Sequence, residues 1–586
     1  MMNNTFHMIF LLVTASCLFI HDISIAEESK VPIRIIAKWG GGGPSPVEWD
    51  GDVMIRNGKI LDVTSYDMES DENGLFNIGS TGFRIQSMTR GAYDDAHIAI
   101  DGHLDSEILF RFGLGECRFR IRELLDQNQI TQAYGKAELI IWRDPGDILN
   151  IKPLDDQLVI SPGEVRLFSV TANPISDKEM NGPIMVTLAI PGTSFSKTLI
   201  APDLTSRPVQ WTVTVPAPEV EGVYELVATA RDIGHQNHMH HIQFVVVDPD
   251  QVPSRPDKLN LRPVQEILCS QPDPLLQYWE APDTRIIDLP FGTFRQTSAK
   301  GKNSNPKSIH KNHHHMGWFA YQLDIREPGI AHVVDISYPG NQSQTVGVSI
   351  VETDEKRKYS LPQLDVGFYT ENRVHQKAEK SVYRLIFWPR SSHPILLFTN
   401  RREGKVISIG DIKVYKAEGG LPSARTPEKK RLLGIYYEEP NVVANFGGVP
   451  RHGKREPDWQ SFYSSGRNLV DYLKYVGMNA VLMQSYGYQT SLYPTAHLAH
   501  DTYRYDNTMS RSGSADPFKK DILKLYFSLF ERDNLFLIPS VNFEQTIPEL
   551  EKLRSSEDDR IADIDMMKNN GRPVSSTHGK GRKGPA

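Results

Sequence analysis

The sequence predicts a multidomain protein in which N-terminal all-β modules lead into an incomplete (β/α)8 TIM barrel. The length of 586 residues is too great for one hydrophobic core, so several domains are expected. Between residue 31 and about residue 416, short runs of β-branched and aromatic residues alternate with turn residues, as in all-β proteins. From Arg431 onward, strand-length apolar runs alternate with helical periods, which is the pattern of parallel βαβ units.

These patterns divide the chain into consecutive segments. We predict a signal peptide at 1–26, a β-rich N-terminal domain at 27–150, an immunoglobulin-like (Ig-like) β-sandwich at 151–250, a jelly-roll-like β domain at 258–418 and a partial barrel with its first three βα units at 428–586. The hydrophobic share of 39% and the charged share of 23% are ordinary for a globular protein. A net charge of −7 over this length disfavours a nucleic-acid binder.

The N-terminus has the features of an export signal. Met8–Ile20 form an apolar run of signal-peptide length that is too short to span a bilayer. Ser24 and Ala26 supply small residues for cleavage, so a periplasmic, cell-surface or secreted protein is expected. A lipoprotein signal at Cys17 is disfavoured, because apolar residues continue beyond it. No later segment is apolar enough to span a membrane after signal cleavage.

The β modules show alternating runs and local turn signals. In the Ig-like module the predicted strands are Leu158–Ile160, Val165–Val170, Met185–Ile190, Val209–Val213, Tyr224–Thr229 and Ile242–Val247. In the jelly-roll-like module they are Trp318–Asp324, Ile330–Ser337, Thr345–Val351, Tyr383–Phe387, Ile395–Phe398 and Val406–Tyr415. Asn57-Gly58 predicts the turn of a hairpin, and Gly222-Val-Tyr224 predicts a tyrosine corner. This second ordering of strands resembles the carbohydrate-binding modules found beside glycosidases.

Cysteines and histidines give little evidence for a cofactor. Cys117 and Cys269 remain after signal cleavage, and two separate buried thiols are favoured over a disulfide. Histidines cluster in two predicted loops, at 235–241 and at 310–315. Metal binding is conceivable at either cluster, but exposed polar loops are favoured. The chain has no dinucleotide fingerprint and no tight metal-ligand spacing, so no cofactor is expected.

The C-terminal segment reads as strand, helix, strand, helix, strand. The predicted strands are Arg431–Tyr437, Ala480–Met483 and Leu535–Ile538, with the last one ending at Pro539. A helix from Trp459 to Val476 should end at Gly477, since glycine enters the left-handed region freely. The second helix should begin at Asp516-Pro517 and bury Ile522, Leu525 and Leu529.

Ligands of such folds bind at the loops that leave the carboxyl ends of the strands. The loop after the second strand is rich in tyrosine, at positions 486, 488, 493, 503 and 505. Rigid rings with a polar tip suit a carbohydrate, whose C–H faces lie flat on aromatic rings. We therefore expect Tyr437, Gln484, Tyr486 and Asn542 to contact a polysaccharide or oligosaccharide. Packing of the tyrosines within the loop explains the same pattern equally well.

The same segment resembles the family-10-like glycosyl hydrolases, in particular the large secreted versions of planctomycete-type bacteria. The motifs are Gly477-Met-Asn-Ala-Val-Leu-Met483, Leu492-Tyr493-Pro494, Arg504-Tyr505-Asp506, Asp516-Pro517-Phe518-Lys519-Lys520-Asp521 and Leu529-Phe530-Glu531-Arg532-Asp533. They cover about the last quarter of the chain. The resemblance implies a glycoside hydrolase that is truncated within its barrel, because residues 431–586 leave room for only about three and a half of the eight βα units. The usual catalytic carboxylates follow later strands and are therefore expected to be missing. Glu438, Glu439 and Glu544 are the remaining catalytic candidates.

Two functions follow as hypotheses. The first is an exported glycoside-hydrolase-like protein that acts on or binds polysaccharide and is catalytically incomplete in this chain. The alternative is a non-catalytic exported carbohydrate-binding or cell-surface β-sandwich protein, because a fold does not by itself assign chemistry. An incomplete barrel should also leave its inner face partly exposed. The residues expected on that face are Leu433, Ile435, Val481, Met483, Leu535 and Leu537.

Overall fold

The fold is described from a computed structural model. It describes residues 31–541 except for 42–45, 66–80, 86–92, 128, 136, 145–146, 148, 156, 173–183, 202–208, 232–236, 271–277, 299, 303–313, 316, 354–358, 371–378, 401, 403, 425–430, 438–441, 450–457, 488–489 and 494–519. The predicted signal peptide therefore lies outside the described residues. The chain forms two compact units, one covering 1–63 and 67–143 and the other covering 64–66 and 144–586. The finer division at residues 150, 250 and 418 stays a prediction.

The first unit is built around one antiparallel sheet in the order β3-β2-β4-β1-β7-β6, with β5 paired to β4. Its elements are β1 Val31–Gly41, a 3-10 turn at Pro46–Trp49, β2 Gly51–Ser65, β3 Gly82–Ile85, β4 Tyr93–Phe112, β5 Gly115–Arg120, α1 Ile121–Gln127, β6 Gln129–Tyr134 and β7 Ala137–Arg143. Alternating residues such as Ile33, Ile35 and Trp39 are buried in its core, as the period of a strand requires.

The turn predicted at Asn57-Gly58 can be compared with the structure of this unit. The hairpin predicted at Asn57-Gly58 is wrong, because β2 runs through both residues as one strand. Asn57 nevertheless takes φ = 60°, a left-handed conformation that asparagine tolerates, so the turn signal marks an irregularity within the strand.

Cys117 and Cys269 are both free and buried, as expected. Burial raises the pKa of the Cys117 thiol to about 11.

Residues 149–247 form two facing sheets, antiparallel except for the parallel pair of β9 and β15, in agreement with the expected β-sandwich. The strands are β8 Leu149–Pro153, β9 Val159–Ile160, β10 Val165–Ala172, β11 Ile184–Ala189, β12 Ser196–Ala201, β13 Val209–Pro216, β14 Gly222–Arg231 and β15 Asn237–Val246. Their orders are β13-β10-β8 and β12-β11-β14-β15-β9. The tyrosine corner is present, since the Tyr224 hydroxyl donates to the Val220 carbonyl at 2.7 Å. His240 is buried and accepts from the Ile151 amide at 3.1 Å, so this histidine is part of the core rather than of an exposed loop.

Residues 260–418 form the second β-sandwich. Its strands are β16 Asn260–Ile267, β17 Tyr278–Glu280, β18 Arg285–Leu289, β19 Gly292–Ser298, β20 Lys300–Lys302, β21 His314–His315, β22 Trp318–Gln322, β23 His332–Pro339, β24 Thr345–Thr353, β25 Tyr359–Tyr369, β26 Lys380–Phe387, β27 Ile395–Asn400, β28 Val406–Ile409 and β29 Ile412–Glu418. The two main sheets run β16-β29-β23-β26 and β17-β22-β27-β24-β25, and β18-β19-β28 and β20-β21 form smaller sheets. Phe319, Tyr321, Val348 and Phe398 belong to the core between them.

His332 makes the stability of this sandwich depend on pH. Its ring is buried, with Nδ1 2.8 Å from the Ile330 carbonyl oxygen, and Glu327, Lys416 and Arg262 are the charged groups that act on it. Burial lowers the pKa of His332 below its ordinary 6.5. The stability that the neutral ring provides is therefore complete above pH 6.5 and lost as the pH falls, because the unfolded chain takes up a proton that the folded chain rejects.

We expect His332→Gln to flatten the pH dependence of stability between pH 7 and pH 5. One titrating group can contribute a slope of up to about 1.4 kcal/mol per pH unit, and the variant removes that group alone. Urea unfolding of both chains at pH 5, 6 and 7 measures the slope. Parallel pH profiles for the two chains would exclude His332 as the titrating group.

The C-terminal segment contains three parallel strands and two main helices. Its elements are β30 Gly434–Tyr437, α2 Val442–Asn445, α3 Trp459–Val476, β31 Ala480–Gly487, β32 Thr490–Ser491, α4 Ile522–Arg532 and β33 Phe536–Val541. Helix α3 begins with a capping box between Asp458 and Ser461 and ends at Gly477 with φ = 75°, as predicted. Helix α4 is capped by Asp521 rather than by Asp516, and β33 continues through Pro539.

The prediction of a TIM barrel is wrong. β30 and β33 flank β31 in parallel, but β32 pairs with β31 in the antiparallel sense, and these strands form an open four-stranded sheet. Most other described strands belong to antiparallel sheets, and the described residues contain few helices. A barrel requires strands whose number, tilt and stagger close on themselves. The βαβ pattern of the sequence predicts each pair of parallel strands, but it does not predict whether the sheet closes into a barrel.

The prediction of which sheet face is exposed is also wrong. Val481 and Met483 are fully buried, and Leu535 and Leu537 are nearly so, because they face helices α3 and α4. The opposite face is the open one. It carries the exposed or partly exposed side chains Tyr436, Leu482, Phe536 and Ile538. Two of the six predicted residues are exceptions, since Leu433, which precedes β30, is exposed and Ile435 is partly exposed.

Helices α3 and α4 lie between the parallel sheet and the Ig-like sandwich. Buried residues of both helices and of both sheets form one continuous hydrophobic cluster. Gln243 of β15 accepts a hydrogen bond from the Trp459 amide at 2.9 Å and donates to Asp458 at 3.1 Å, so the start of α3 is bonded to the sandwich. Within the described part of the chain, no helix has the length and apolarity that a membrane span needs.

Candidate functional site

The structure describes only some of the residues predicted to form a site. Tyr437 and Gln484 are described with their side chains, and Tyr486 with its backbone alone. Glu438, Glu439, Asn542 and Glu544 lie outside the described residues, so their roles stay predictions.

Tyr437 and Gln484 do not line one surface. Tyr437 is the last residue of β30 and pairs in register with Met483, so both point toward the helices. There Tyr437 packs on the hydrophobic cluster, and its hydroxyl donates to the Asn445 side chain in α2. Gln484 follows Met483 on β31 and therefore points to the other face of the sheet. The predicted substrate contacts are thus divided between two sides of the sheet.

A different surface brings exposed aromatic residues together. In the sheet β17-β22-β27-β24-β25, alternate residues such as Phe319, Val348 and Phe398 face the core of the sandwich. The residues between them point away from that core. We call this outward side the aromatic face. Its members include Trp279, Trp318, Ala320, Leu397, Thr399, Gly347, Gly367 and Tyr369.

Two tryptophans lie side by side at one end of the aromatic face. Trp279 on β17 is paired with Ala320 on β22, and Trp318 lies two residues before Ala320 on the same strand. The two indoles are therefore diagonal neighbours, at the spacing from which long aromatic side chains reach each other. Trp279 packs on a small apolar cluster of Ala320, Val351 and Ile395, which fixes its ring. Trp318 is 37% exposed.

The middle of the face carries small residues, of which Gly347 is buried. Trp318 is followed across the sheet by Thr399, Gly347 and Gly367, in register on β27, β24 and β25. A Cβ atom at Gly367 would come within 2.1 Å of the Val346 carbonyl oxygen, so this position stays without a side chain. Tyr369, 51% exposed, stands at the far strand. Trp318 and Tyr369 are three strands apart, or about 14 Å across the sheet.

Charged groups are held on the other side of β17. Tyr278 points toward the core side beside Tyr321, and the Arg295 guanidinium lies 5.2 Å from its ring centroid. Arg295 also forms an ion pair with Glu280. Burial alone would lower the pKa of Arg295, but Tyr321 and Glu280 raise it above its ordinary value. Among the described residues, no group of three His, Cys, Asp or Glu side chains could hold a metal ion.

Sequence reasoning missed the aromatic face because it searched loops for ligand contacts. A signal was available in the run Trp318-Phe-Ala-Tyr321, where strand alternation puts Phe319 and Tyr321 on one face and Trp318 on the other. Because aromatic residues occupy both odd and even positions of this strand, large rings are expected on both sides of the sheet. The position of Trp279 next to Trp318 depends on the strand order, which the sequence does not specify.

No family model and no curated protein matches the chain. Solved structures with partial similarity include the enzymatically active domain of tailspike protein 4 of bacteriophage CBA120, with 13% identity, 30% of this chain and 22% of that chain covered, and a TM-score of 0.16. A structure of carbohydrate-binding modules from the β-sandwich superfamily has 10% identity over 46% of this chain and 96% of that chain, with a TM-score of 0.15. A Bacteroides uniformis β-glucuronidase has 11% identity over 47% of this chain and 30% of that chain, with a TM-score of 0.13.

The chain thus spans about a fifth of the tailspike domain and nearly all of the carbohydrate-binding structure. TM-scores this low do not establish a shared fold.

Proposed function

We propose that this protein is an exported carbohydrate-binding protein and that the aromatic face is its binding surface. The observation that supports this most directly is the pairing of Trp279 and Trp318 on the outward side of a sheet, with the Trp318 ring exposed. The indole faces offer flat apolar area and lose little conformational freedom on binding. The C–H face of a pyranose ring is complementary to such a surface.

The rest of the face suits an extended saccharide chain. The row of Thr399, Gly347 and Gly367 places small residues, with Gly347 buried, between Trp318 and Tyr369. Thr399 and Tyr369 provide hydroxyl groups that donate and accept hydrogen bonds. A polysaccharide lying across the strands would contact rings at both ends of this row. A catalytic role for Glu438, Glu439 or Glu544 is not part of this proposal.

We expect Trp318→Ala to weaken polysaccharide binding at least ~10-fold, which corresponds to about 1.4 kcal/mol of binding free energy. Affinity electrophoresis of the full chain in gels containing xylan, mannan, β-glucan or arabinan identifies the ligand, and titration calorimetry with that ligand measures the loss. Tyr278→Ala is the control, because Tyr278 precedes Trp279 but points to the other side of β17. Equal affinities for the wild-type and Trp318→Ala chains would refute the proposal.

A further inference from the structure

The buried amide of Gln484 lies in the second half of β31, one residue beyond the last pair that β31 forms with β30, and ligands of parallel sheets bind toward this end of the strands. The Gln484 side chain lies on the same side of the sheet as the Leu482 side chain, and Gln484 pairs in register with Ser540 of β33. The neighbours on this face are open, since Tyr436 and Ile538, which pair with Leu482, are both exposed to solvent. A ligand that lies on Tyr436, Leu482 and Ile538 would extend toward Gln484, and contact with the buried amide requires the atoms that cover it to move aside.

Gln484 is 1% exposed, yet among the described residues neither its Oε1 nor its Nε2 has a hydrogen-bond partner. A buried amide in this state bears the full cost of lost hydration, and buried polar groups in native proteins are nearly always bonded. The adjacent Ser485 shows that partners are within reach at this end of the sheet, because its hydroxyl donates to the Ser540 carbonyl at 3.0 Å.

Asn479 is a useful comparison within the same segment. It is also a buried amide, and it lies just before the amino end of β31. Its Oδ1 accepts from the Leu433 amide at 2.8 Å, and its Nδ2 donates to the Arg431 carbonyl at 2.9 Å. Asn479 therefore has a structural role that its contacts explain fully. Gln484 has no such contacts, so its polarity is not accounted for by the fold.

We propose that Gln484 is the polar contact of a second carbohydrate site, on the open side of the parallel sheet. An amide presents one acceptor and two donors side by side. Two adjacent hydroxyl groups of a sugar ring match that arrangement, because each hydroxyl can donate or accept. The apolar side chains of Leu482 and Ile538 and the ring of Tyr436 lie beside it and offer a surface for the C–H face of the same sugar.

This site is independent of the aromatic face, and its test is made in a chain that lacks Trp318. The Trp318→Ala chain is titrated with a fixed panel of neutral tetrasaccharides: cellotetraose, xylotetraose, mannotetraose and arabinotetraose. One of them should still bind. Adding Gln484→Met, which preserves the length of the side chain but not its polar atoms, should weaken that residual binding at least ~10-fold.

A second readout separates a ligand contact from a structural residue. Gln484→Met should raise the midpoint of urea unfolding of the ligand-free chain, because it removes an unsatisfied buried amide. Asn479→Leu, the control, should lower that midpoint and leave residual binding unchanged. The inference is overturned if the Trp318→Ala chain binds no tetrasaccharide, if Gln484→Met leaves its binding intact, or if Gln484→Met lowers the unfolding midpoint. None of these outcomes bears on binding by the aromatic face, which is measured in the wild-type chain.

Discussion

Replacing Arg255 by methionine is expected to lower the free energy of unfolding by about 3–5 kcal/mol, because it removes the cation that bridges two carboxylates, one of which is fully buried. Arg255 donates to Asp471 of α3 at 2.8 Å and to Asp533, which follows α4, at 2.7 Å. The Asp533 side chain is completely buried, and in the described part of the chain the other cation that pairs with it is Arg532, at 3.7 Å. Removing Arg255 therefore costs far more than a surface ion pair.

The pH dependence of this variant provides a check on the mechanism. Burial raises the pKa of Asp471, and the charge and hydrogen bonds of Arg255 oppose that rise. Without Arg255 the pKa of Asp471 rises further, so the folded variant holds a proton that the unfolded chain releases. Stability of the variant relative to wild type is then lost as the pH rises. We expect a smaller deficit at pH 4 than at pH 7.

Arg262→Met is the matched control. Arg262 also bridges two carboxylates, those of Glu327 at 3.0 Å and Glu418 at 3.2 Å, but all three side chains are largely exposed. Exposed ion pairs contribute little to stability, so this variant should unfold nearly as the wild type does. Urea titration of the three chains measures both values. Equal losses for Arg255→Met and Arg262→Met would contradict the buried network.

The second large effect is expected for Trp459→Ala, at about 3–5 kcal/mol. Trp459 is the first residue of α3 and is fully buried in the cluster that joins the helices to the Ig-like sandwich. Its loss leaves a large cavity between these elements. Because the cluster is continuous, hydrogen exchange should accelerate in α3 and also in β14 and β15 of the sandwich.

Trp459→Phe should cost much less, since the smaller ring fills most of the space and removes an indole N–H that has no acceptor among the described residues. Denaturant unfolding and amide exchange compare the two variants. If Trp459→Ala accelerated exchange in α3 alone, the sandwich and the helices would be separate folding units.

Local structure in the C-terminal segment was predictable because its signals are local. Apolar spacing specifies helix α3, and Gly477 ends it through its left-handed conformation. The alternating runs of residues 149–418 predicted most of the strands for the same reason. Tyr224 was also predictable, because a tyrosine corner is formed within a few residues of sequence.

Features that depend on distant contacts were not predictable. Closure of a barrel depends on strand number and stagger, and the three strands β30, β31 and β33 carry no sequence signal for either. The helix-facing side of the sheet was assigned to solvent because the sequence does not show that α3 and α4 cover it. Likewise, Trp279 and Trp318 are separated by 38 intervening residues and become neighbours only through pairing of β17 with β22.

Hydroxyl-radical footprinting of the full chain, with and without the polysaccharide it binds best, tests the carbohydrate-binding account most directly. The aromatic face predicts that bound polysaccharide protects Trp318 and Tyr369 from oxidation, while Tyr278 on the other side of β17 reacts equally in both samples. If Trp318 and Tyr369 are oxidised equally in the bound and the free chain, the assignment of this face as the binding surface is contradicted.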